Sequence, residues 1–502
     1  MSPVGEFTFH LPLSSLILIF IVVRVSYSIR DHERNVKRSV TKTLTLDGPD
    51  SAIDFPVLSS TINQDSAEIV AFLSAPSEKR HAILREVSDA HSTKKRYVEV
   101  WAGAQLEASL EVTNQHGQFH TDGMVFAKVC LRCSLVPPLD YFKSFSFTPS
   151  ETALVYTAEA NPESTGGQED DPYPKFRFTP HFGEQLYTKK RPTLFVFRWR
   201  SRTETIPDGS DTTPSASVTA LSSDQSPSIP VLFGQATFVT ETRLYATGYE
   251  QTGDGKLLGV KGCFNRASSI WELILPGEPL AKAAITACKS VKIKTAGRSC
   301  RSPRVLFDND QVPAGLFWLS NPVGGAHAST ASLHVRDLKG AAVDRLLVDT
   351  VYDPSDQEFP GLYTDYNLPG NPFISLGDKT FVLVQSLWRS HQTLVLINVE
   401  NGDVVDLTPI PDGQPPYGWN LLGTDGARLA ICSRSTLTSP PETVLLTLTQ
   451  EGFTENIWIL DRPSVSLKRA YHYHTNQAIT SNITLFKLQS KKPLIALMNL
   501  LY

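Results

Sequence analysis

Few residues of this 502-residue chain have the types and spacing that nucleophilic catalysis requires. A serine hydrolase of the α/β type presents its nucleophile in a GxSxG turn and needs an Asp and a His elsewhere in the chain. The sequence contains neither GxSxG nor an HGGP-like oxyanion motif. Ser433 and Ser435, next to Cys432, lie in a strand-like stretch without such a turn. We therefore expect no catalytic residue in this chain.

One cysteine pair has the spacing of half a metal or redox site. Cys130 and Cys133 form a single CxxC, and no second half follows. His116 and His120 lie upstream, but not at a recognised ligand spacing. Six cysteines in a chain of this length do not make a disulfide framework. We expect reduced thiols in a β-rich segment rather than a metal or redox centre.

Three other patterns are incomplete in the same way. His472 and His474 would share one face of a strand, but no HExxH and no carboxylate at ligand spacing accompanies them. Residues 253–256, Gly-Asp-Gly-Lys, lack the full GxxxxGK[ST] of a phosphate loop and predict a hairpin turn. The Gly324-Gly325 pair lies in a loop that no helical pattern follows. We expect no metal and no cofactor.

The composition is that of a globular protein with many turns. Hydrophobic residues make up 41% of the chain and charged residues 20%, with 34 Pro, 30 Gly and 3 Met. The net charge of −4 gives no basic field, so we expect no nucleic-acid partner.

The elements that must carry any site are short β-strands in a coarse repeat. Residues 373–409 read as strand, Gly-Asp turn, strand, polar turn, strand, Asn-Gly turn, strand. A second such unit covers residues 419–448, and residues 97–101 alternate like a half-buried strand. Long amphipathic helices are absent from this pattern. The repeat predicts an all-β chain, a β-propeller of about seven or eight antiparallel blades, with one or two β-sandwiches as the alternative.

The expected domains are an N-terminal extension at 1–45, the propeller at 46–462, and a linker or divergent tail at 463–502. The apolar run at 11–23 is too short for a transmembrane helix and fits the core of a signal peptide. The acidic Glu6 and the lack of Lys and Arg in residues 1–10 oppose that reading. Residues 166–174 and 208–230 have the polar composition of exposed, mobile loops.

Several stretches, in their order and spacing, resemble a known family over roughly residues 35–460. They include YVEVW (97–101), NQHG (114–117), FTPSETALVYTAE (147–159), FGEQ (182–185), GCFNR (262–266), SPR (302–304), FPGLY (359–363), WNLL (419–422) and SPP (439–441). Together they are similar to the N-terminal propeller region of acylaminoacyl-peptidase, also called acylamino-acid-releasing enzyme or acylpeptide hydrolase, of the prolyl oligopeptidase clan. Residues 130–141 look like an insertion, and the sequence stops at Tyr502, about where the family's hydrolase domain begins.

The resemblance implies the non-catalytic, substrate-gating propeller of a serine-type acylaminoacyl-peptidase, with the α/β-hydrolase domain missing from this chain. Such a peptidase releases N-acyl amino acids from N-acylated peptides. The implied partners are short N-acylated peptides, if a hydrolase domain is joined, and further copies in a homo-oligomer. The implied localisation is cytoplasmic, with the secretory pathway or a membrane anchor through residues 11–28 as the alternative. The competing function is a stand-alone propeller that serves as a protein or peptide binding platform.

Overall fold

The structure is a computed structural model, and part of the chain is described in it. The described residues are 2–9, 21–31, 36–46, 57–64, 68–88, 94–121, 140–161, 176, 181–182, 186, 190–200, 216–223, 231–252, 256, 258–276, 285–293, 297–340, 343–355, 358–408, 416–436 and 439–462.

These residues form 28 β-strands and no α-helix. The strands are β1 (Ser2–Phe9), β2 (Ile21–Asp31), β3 (Val36–Leu46), β4 (Val57–Gln64), β5 (Ile69–Ser74), β6 (Arg80–Ser88), β7 (Lys94–Ala102), β8 (Gln105–Glu111), β9 (Phe145–Phe147), β10 (Ala153–Glu159), β11 (Pro192–Trp199), β12 (Ala216–Ser223), β13 (Val231–Thr240), β14 (Arg243–Glu250), β15 (Ser268–Ile274), β16 (Ile285–Lys292), β17 (Arg298–Phe307), β18 (Pro313–Pro322), β19 (Ser332–Asp337), β20 (Asp344–Val348), β21 (Phe373–Leu376), β22 (Lys379–Trp388), β23 (His391–Asn398), β24 (Val404–Asp406), β25 (Gly418–Thr424), β26 (Leu429–Ser435), β27 (Glu442–Leu448) and β28 (Thr454–Asp461). In the part of the chain that is described, no helix is long and apolar enough to cross a membrane.

The strands fall into seven consecutive antiparallel units of four, which we number 1 to 7 along the chain. Units 1, 2, 6 and 7 are separate four-stranded sheets. Units 3, 4 and 5 join into one sheet through the parallel pairs β12–β16 and β15–β17. Unit 6, β21–β24, is the strand–turn repeat predicted for residues 373–409. The predicted all-β propeller is confirmed.

Neighbouring units pack face to face through apolar side chains, because a twisted four-stranded sheet exposes two faces that it cannot cover alone. Buried clusters lie between units 2 and 3, 3 and 4, 4 and 5, 5 and 6, 6 and 7, and 7 and 1. Units 2 and 3 meet around Leu84 and Tyr156, units 5 and 6 around Phe317 and Phe373. The ring closes where unit 1 meets unit 7, through the buried set Val23, Val25, Leu44, Leu46, Leu429, Ile431 and Leu445.

The closing interface between units 1 and 7 is held by side chains, since no described strand of unit 1 pairs with one of unit 7. The Tyr27 hydroxyl donates to Asp461 Oδ2 at 2.8 Å, and Lys42 Nζ lies 2.6 Å from Asp461 Oδ1. A buried aliphatic side chain contributes roughly 2 kcal/mol, and a hydrogen bond roughly 1 kcal/mol net. The apolar set therefore contributes most of the stability of the closure.

The first strand of each unit lies innermost in the ring, as contacts between first strands show. Ala236 N of β13 donates to Ser144 Oγ just before β9, at 2.7 Å. Ser375 N of β21 donates to the Gly426 carbonyl after β25, at 2.9 Å. In an up-and-down meander, every even-numbered strand ends at the same side of the ring. We call this side the connector face, because the connections between units lie there, and β28 also ends there at Asp461.

Strands β1 and β2 lie within the expected N-terminal extension at 1–45, and β3 begins in it. Alternate residues of β2 face the apolar surface of unit 7. The loop expected at 208–230 is wrong for Ala216–Ser223, which is strand β12. Its Ser/Thr-rich sequence pairs on both edges, with β11 and β16. Residues 166–174 and 463–502 lie outside the described residues.

Candidate functional site

A serine and a histidine share a hydrogen bond in unit 5, which is the minimum of a nucleophile–base pair. Ser320 Oγ lies 2.7 Å from His334 Nε2. Ser320 is fully buried, and Arg298 Nε also donates to its hydroxyl at 3.0 Å. No carboxylate of the described residues is hydrogen-bonded to His334, whose ring stacks on Trp318. The pair has neither the access nor the orienting acid of a catalytic triad, so it is structural.

Sequence spacing could not have found this pair. Ser320 and His334 lie on adjacent strands, β18 and β19, at diagonal positions of the antiparallel register. Burial lowers the pKa of His334 to about 4, so the imidazole is neutral near pH 7.

The histidines singled out from the sequence are both buried, with different partners. His116 Nε2 lies 2.8 Å from the Tyr156 hydroxyl, and His120 Nδ1 lies 3.2 Å from Asp140 Oδ2. Cys130, Cys133, His472 and His474 lie outside the described residues. Ser433 is buried within β26 beside Cys432, whose thiol has a pKa raised by burial. Among the described residues, no group of three His, Cys, Asp or Glu side chains could hold a metal ion.

We predict that His116 makes the fold sensitive to acid. Burial lowers its pKa from 6.5 to about 4, so the fold favours the neutral ring. The stability it contributes is complete above pH 6.5, is lost as the pH falls from 6.5 to 4, and does not change further below that. Because protonation is linked to unfolding, the free energy of unfolding falls by about 3 kcal/mol over this range. The midpoint temperature of thermal unfolding should fall less over this pH range for His116→Gln than for the natural chain.

The exposed His327 supplies the matched control for this measurement. His327→Gln should retain the full acid sensitivity. Equal pH profiles for His116→Gln and the natural chain would show that other groups cause the acid loss.

Six aromatic side chains meet at the connector face, and we call them the aromatic plug: Tyr141, Phe142, Phe182, Tyr249, Phe264 and Tyr366. The rings of Tyr141 and Tyr366 are 4.5 Å apart, and those of Phe142 and Tyr249 4.8 Å. The Tyr249 hydroxyl donates to the Tyr141 carbonyl. Burial raises the pKa of Tyr366 to about 12, so this phenol is neutral.

The aromatic plug joins two connectors that are distant in the chain. Tyr141 precedes the first strand of unit 3, and Tyr366 precedes the first strand of unit 6. The two connectors touch, and Asn367 Nδ2 donates to the Asp140 carbonyl at 3.4 Å. The connector before unit 6 also contacts the inner strands β17 and β13, through Arg301 and Gln235. The plug therefore lies at the connector face against the inner strands of units 4 and 5.

Two strained inner strands support the plug. Gln235 in β13 and Ser302 in β17 have φ values of 53° and 58°, each at an irregularity of the strand register. Ser302 N donates to Gln235 Oε1 at 2.8 Å, and Leu368 N donates to Ser302 Oγ at 2.8 Å. Such strain persists only where surrounding contacts impose it, and it concentrates at functional sites. These bonds fix the connector that carries Tyr366.

The plug also encloses a buried charge, Arg301, the residue before the strained Ser302. Its guanidinium lies over the rings of Phe264 and Tyr366, at 4.9 and 5.0 Å. Arg301 Nε donates to the Tyr366 carbonyl at 2.9 Å, and Nη1 donates to Asn321 Oδ1 at 2.6 Å. Its Nη2 has no hydrogen-bond partner. Sequence reasoning did not single out this arginine, because its partners come from three distant segments.

A small depression lies beside the plug. Phe182, Tyr249 and Tyr366 contribute aromatic surface to it, and Arg266 and Glu250 contribute charged groups. Glu250 is itself paired with Lys292 at 2.5 Å. The depression is narrow, because Phe182, Tyr249 and Tyr366 are each at most 4% exposed, and its lining is aromatic with a charged border.

Comparison with known proteins agrees with the architecture. The family model described as the N-terminal domain of acylamino-acid-releasing enzyme matches residues 19–468. Acylamino-acid-releasing enzyme 1 of Oryza sativa subsp. japonica is 24% identical over 399 residues, covering 74% of this chain and 46% of that protein. The acylamino-acid-releasing enzyme of Mus musculus is 25% identical over 415 residues, covering 77% and 48%. The chain thus spans about half the length of these curated relatives.

Among solved structures, the chain is similar in part to the uncomplexed acylaminoacyl peptidase of Pyrococcus horikoshii. It is 10% identical with a TM-score of 0.42, and the match covers 90% of this chain and 52% of that one. The resemblance found in the sequence is confirmed by the family match.

Proposed function

Because the chain belongs to the acylamino-acid-releasing enzyme family, whose N-terminal propeller domain it matches, we propose that it gates substrate access for a serine peptidase. The peptidase would release N-acyl amino acids from N-acylated peptides, and the propeller itself would take no chemical part. The observation that carries this proposal is the aromatic plug, which lies at the connector face against the inner strands of units 4 and 5.

The chain leaves the ring on that same face. β28 ends at Asp461, at the side where the connectors lie. In the relatives, which are about twice as long as the matched region, a following domain would begin at the outer strand of unit 7, on the same face as the plug. Beneath a domain placed over this face, Tyr141 and Tyr366 would narrow the space open to a peptide. Short peptides would pass such a restriction more readily than long or folded chains.

The partners we propose are short N-acylated peptides and further copies of the chain in a homo-oligomer, in the cytoplasm. These three points are supported by family membership alone. The stand-alone binding platform has no observation of its own in its favour.

A chimera tests the gating role. Residues 1–462 would replace the matched region of the rice relative, and cleavage of a three-residue and a twenty-residue N-acetylated peptide would be compared. We expect a strong preference for the short peptide. Tyr366→Ala removes one ring of the plug and should lower the short-to-long ratio at least about tenfold, a change of about 1.4 kcal/mol in relative barrier.

Tyr352 provides the matched control, since it lies in the same connector and is 84% exposed. Tyr352→Ala should leave the ratio unchanged. If Tyr366→Ala also leaves it unchanged while both proteins stay folded, the plug does not gate, and the binding-platform function becomes the better reading.

A further inference from the structure

Arg301 is the one Lys or Arg that is buried in the described part of the chain, and it has no acidic partner there. The groups that favour its charged form are Tyr366, Cys300 and Tyr249, none of which is a carboxylate. Three of the buried carboxylates elsewhere in the described fold have a basic partner: Glu99 with Arg85, Glu151 with Arg80, and Asp140 with His120. Arg301 differs from them in having only neutral partners.

An unpaired buried guanidinium is costly. Removing an ion from water costs several kcal/mol, which neutral hydrogen-bond acceptors and aromatic faces offset only in part. An apolar side chain would fill this space without that cost. The presence of a charged side chain at this position is explained if an anion binds to Arg301 during function.

The free hydrogen-bond donors of Arg301 have the geometry for a carboxylate. A guanidinium has five N–H donors, and the bonds to the Tyr366 carbonyl and Asn321 occupy one on Nε and one on Nη1. The remaining donors include both on Nη2 and one on Nη1. This pair of nitrogens forms the end-on fork that binds a carboxylate through two parallel hydrogen bonds.

Tyr366 stands between Arg301 and the surface. Its ring lies over the guanidinium and also lines the depression beside the plug. Ser299 lines the same depression and shares a strand face with Arg301, since residues two apart on a strand point the same way. Rotation of the Tyr366 side chain would open the depression toward Arg301, while its backbone carbonyl continues to hold Nε.

The substrate class identifies the anion. An N-acylated peptide has no N-terminal ammonium, so its C-terminal carboxylate is the one charge that every such peptide carries. Resting on the function proposed above, we propose that Arg301 binds the C-terminal carboxylate of short N-acylated peptides. Recognition of the far end of the peptide inside the plug would favour peptides short enough to bring that end to Arg301.

Calorimetric titration of the 502-residue chain tests this assignment. The probes are acetyl-Ala-Ala-Ala, its C-terminal amide, and the amide of acetyl-Ala-Glu-Ala, which carries its negative charge in a side chain. We expect the free acid to bind at least about tenfold more tightly than either amide. Arg301→Gln should abolish that preference, and Arg301→Lys, which keeps the charge but loses the fork, should retain part of it. Arg428→Gln, an exposed arginine in the β25–β26 turn of unit 7, should leave the preference intact.

Circular dichroism establishes whether each variant is folded, and the comparison of acid with amide in the natural chain does not depend on any variant. Equal affinities for the acid and its amide would overturn the assignment of Arg301 and leave the gating proposal standing, since the chimera judges gating separately. A preference that survives in folded Arg301→Gln would overturn it as well. Binding of the glutamyl amide as tightly as the acid would exclude specific recognition of the terminal carboxylate. Failure of all three peptides to bind would also overturn it.

Discussion

The purified 502-residue chain is expected to remain unlabelled by a serine-directed fluorophosphonate and to release no acetyl-alanine from an acetylated peptide. Removing triad members from serine peptidases costs on the order of 10⁴ to 10⁶ in turnover. This sequence has no GxSxG, and the serine–histidine pair that the structure does contain is buried. Ser320 also receives a hydrogen bond from Arg298, which stabilises its oxygen in place rather than activating it.

Chymotrypsin, labelled under the same conditions, shows that the reagent is active, and Ser320→Ala is the matched variant. Robust labelling of the natural chain would contradict the prediction, and mass spectrometry would locate the modified serine. Modification of Ser320, lost in Ser320→Ala, would mean that unit 5 opens enough to expose a reactive pair.

Gly402→Ala should destabilise the propeller severely, by at least about 4 kcal/mol, which places it among the exceptional single substitutions. Gly402 has a φ of +81°, and a Cβ at this position would overlap the carbonyl oxygen of Leu347 in the neighbouring unit. Neither backbone can yield easily, because β20 and the β23–β24 turn are both hydrogen-bonded in their own sheets. Thermal unfolding followed by circular dichroism should show a large drop in the midpoint.

Gly377→Ala separates the effect of a positive φ from the effect of the overlap with Leu347. Gly377 lies in the β21–β22 turn of the same unit, with a φ of +63° but open space around the missing Cβ. Its substitution should lower the free energy of unfolding by about 1 to 2 kcal/mol, the cost of placing a residue with a Cβ in the left-handed backbone conformation. Equal drops for the two variants would show that the contact with Leu347 does not limit this position.

The local pattern of the sequence was sufficient to predict unit 6. Its strands and its Gly-Asp and Asn-Gly turns depend on neighbours within a few residues, and the four strands β21–β24 follow the predicted order. The all-β fold and the family resemblance were predictable for the same reason. Strand β12 was missed because its Ser/Thr-rich composition resembles a loop, and the pairing with β11 and β16 that makes it a strand is not local.

The candidate site could not be predicted at all. Tyr141 and Tyr366 are far apart in the chain, and the packing of units 3, 4 and 5 brings their connectors together. Arg301 has no motif around it, and its burial depends on Phe264 and Tyr366 from two other segments. Similarly, Val23 and Val25 are buried because they pack against unit 7, which is formed by the other end of the described chain.

The closing interface between units 1 and 7 sets a delay in biosynthesis. Every unit is continuous in sequence, so each can fold soon after it leaves the ribosome. Unit 1, however, must wait with Val23, Val25 and Leu44 uncovered until unit 7 has been translated. At about 5 to 20 residues per second, the roughly 400 intervening residues take on the order of 20 to 80 s. During that interval the nascent chain presents an apolar sheet face, which is a binding surface for chaperones and a place where misassembly between two nascent chains would begin.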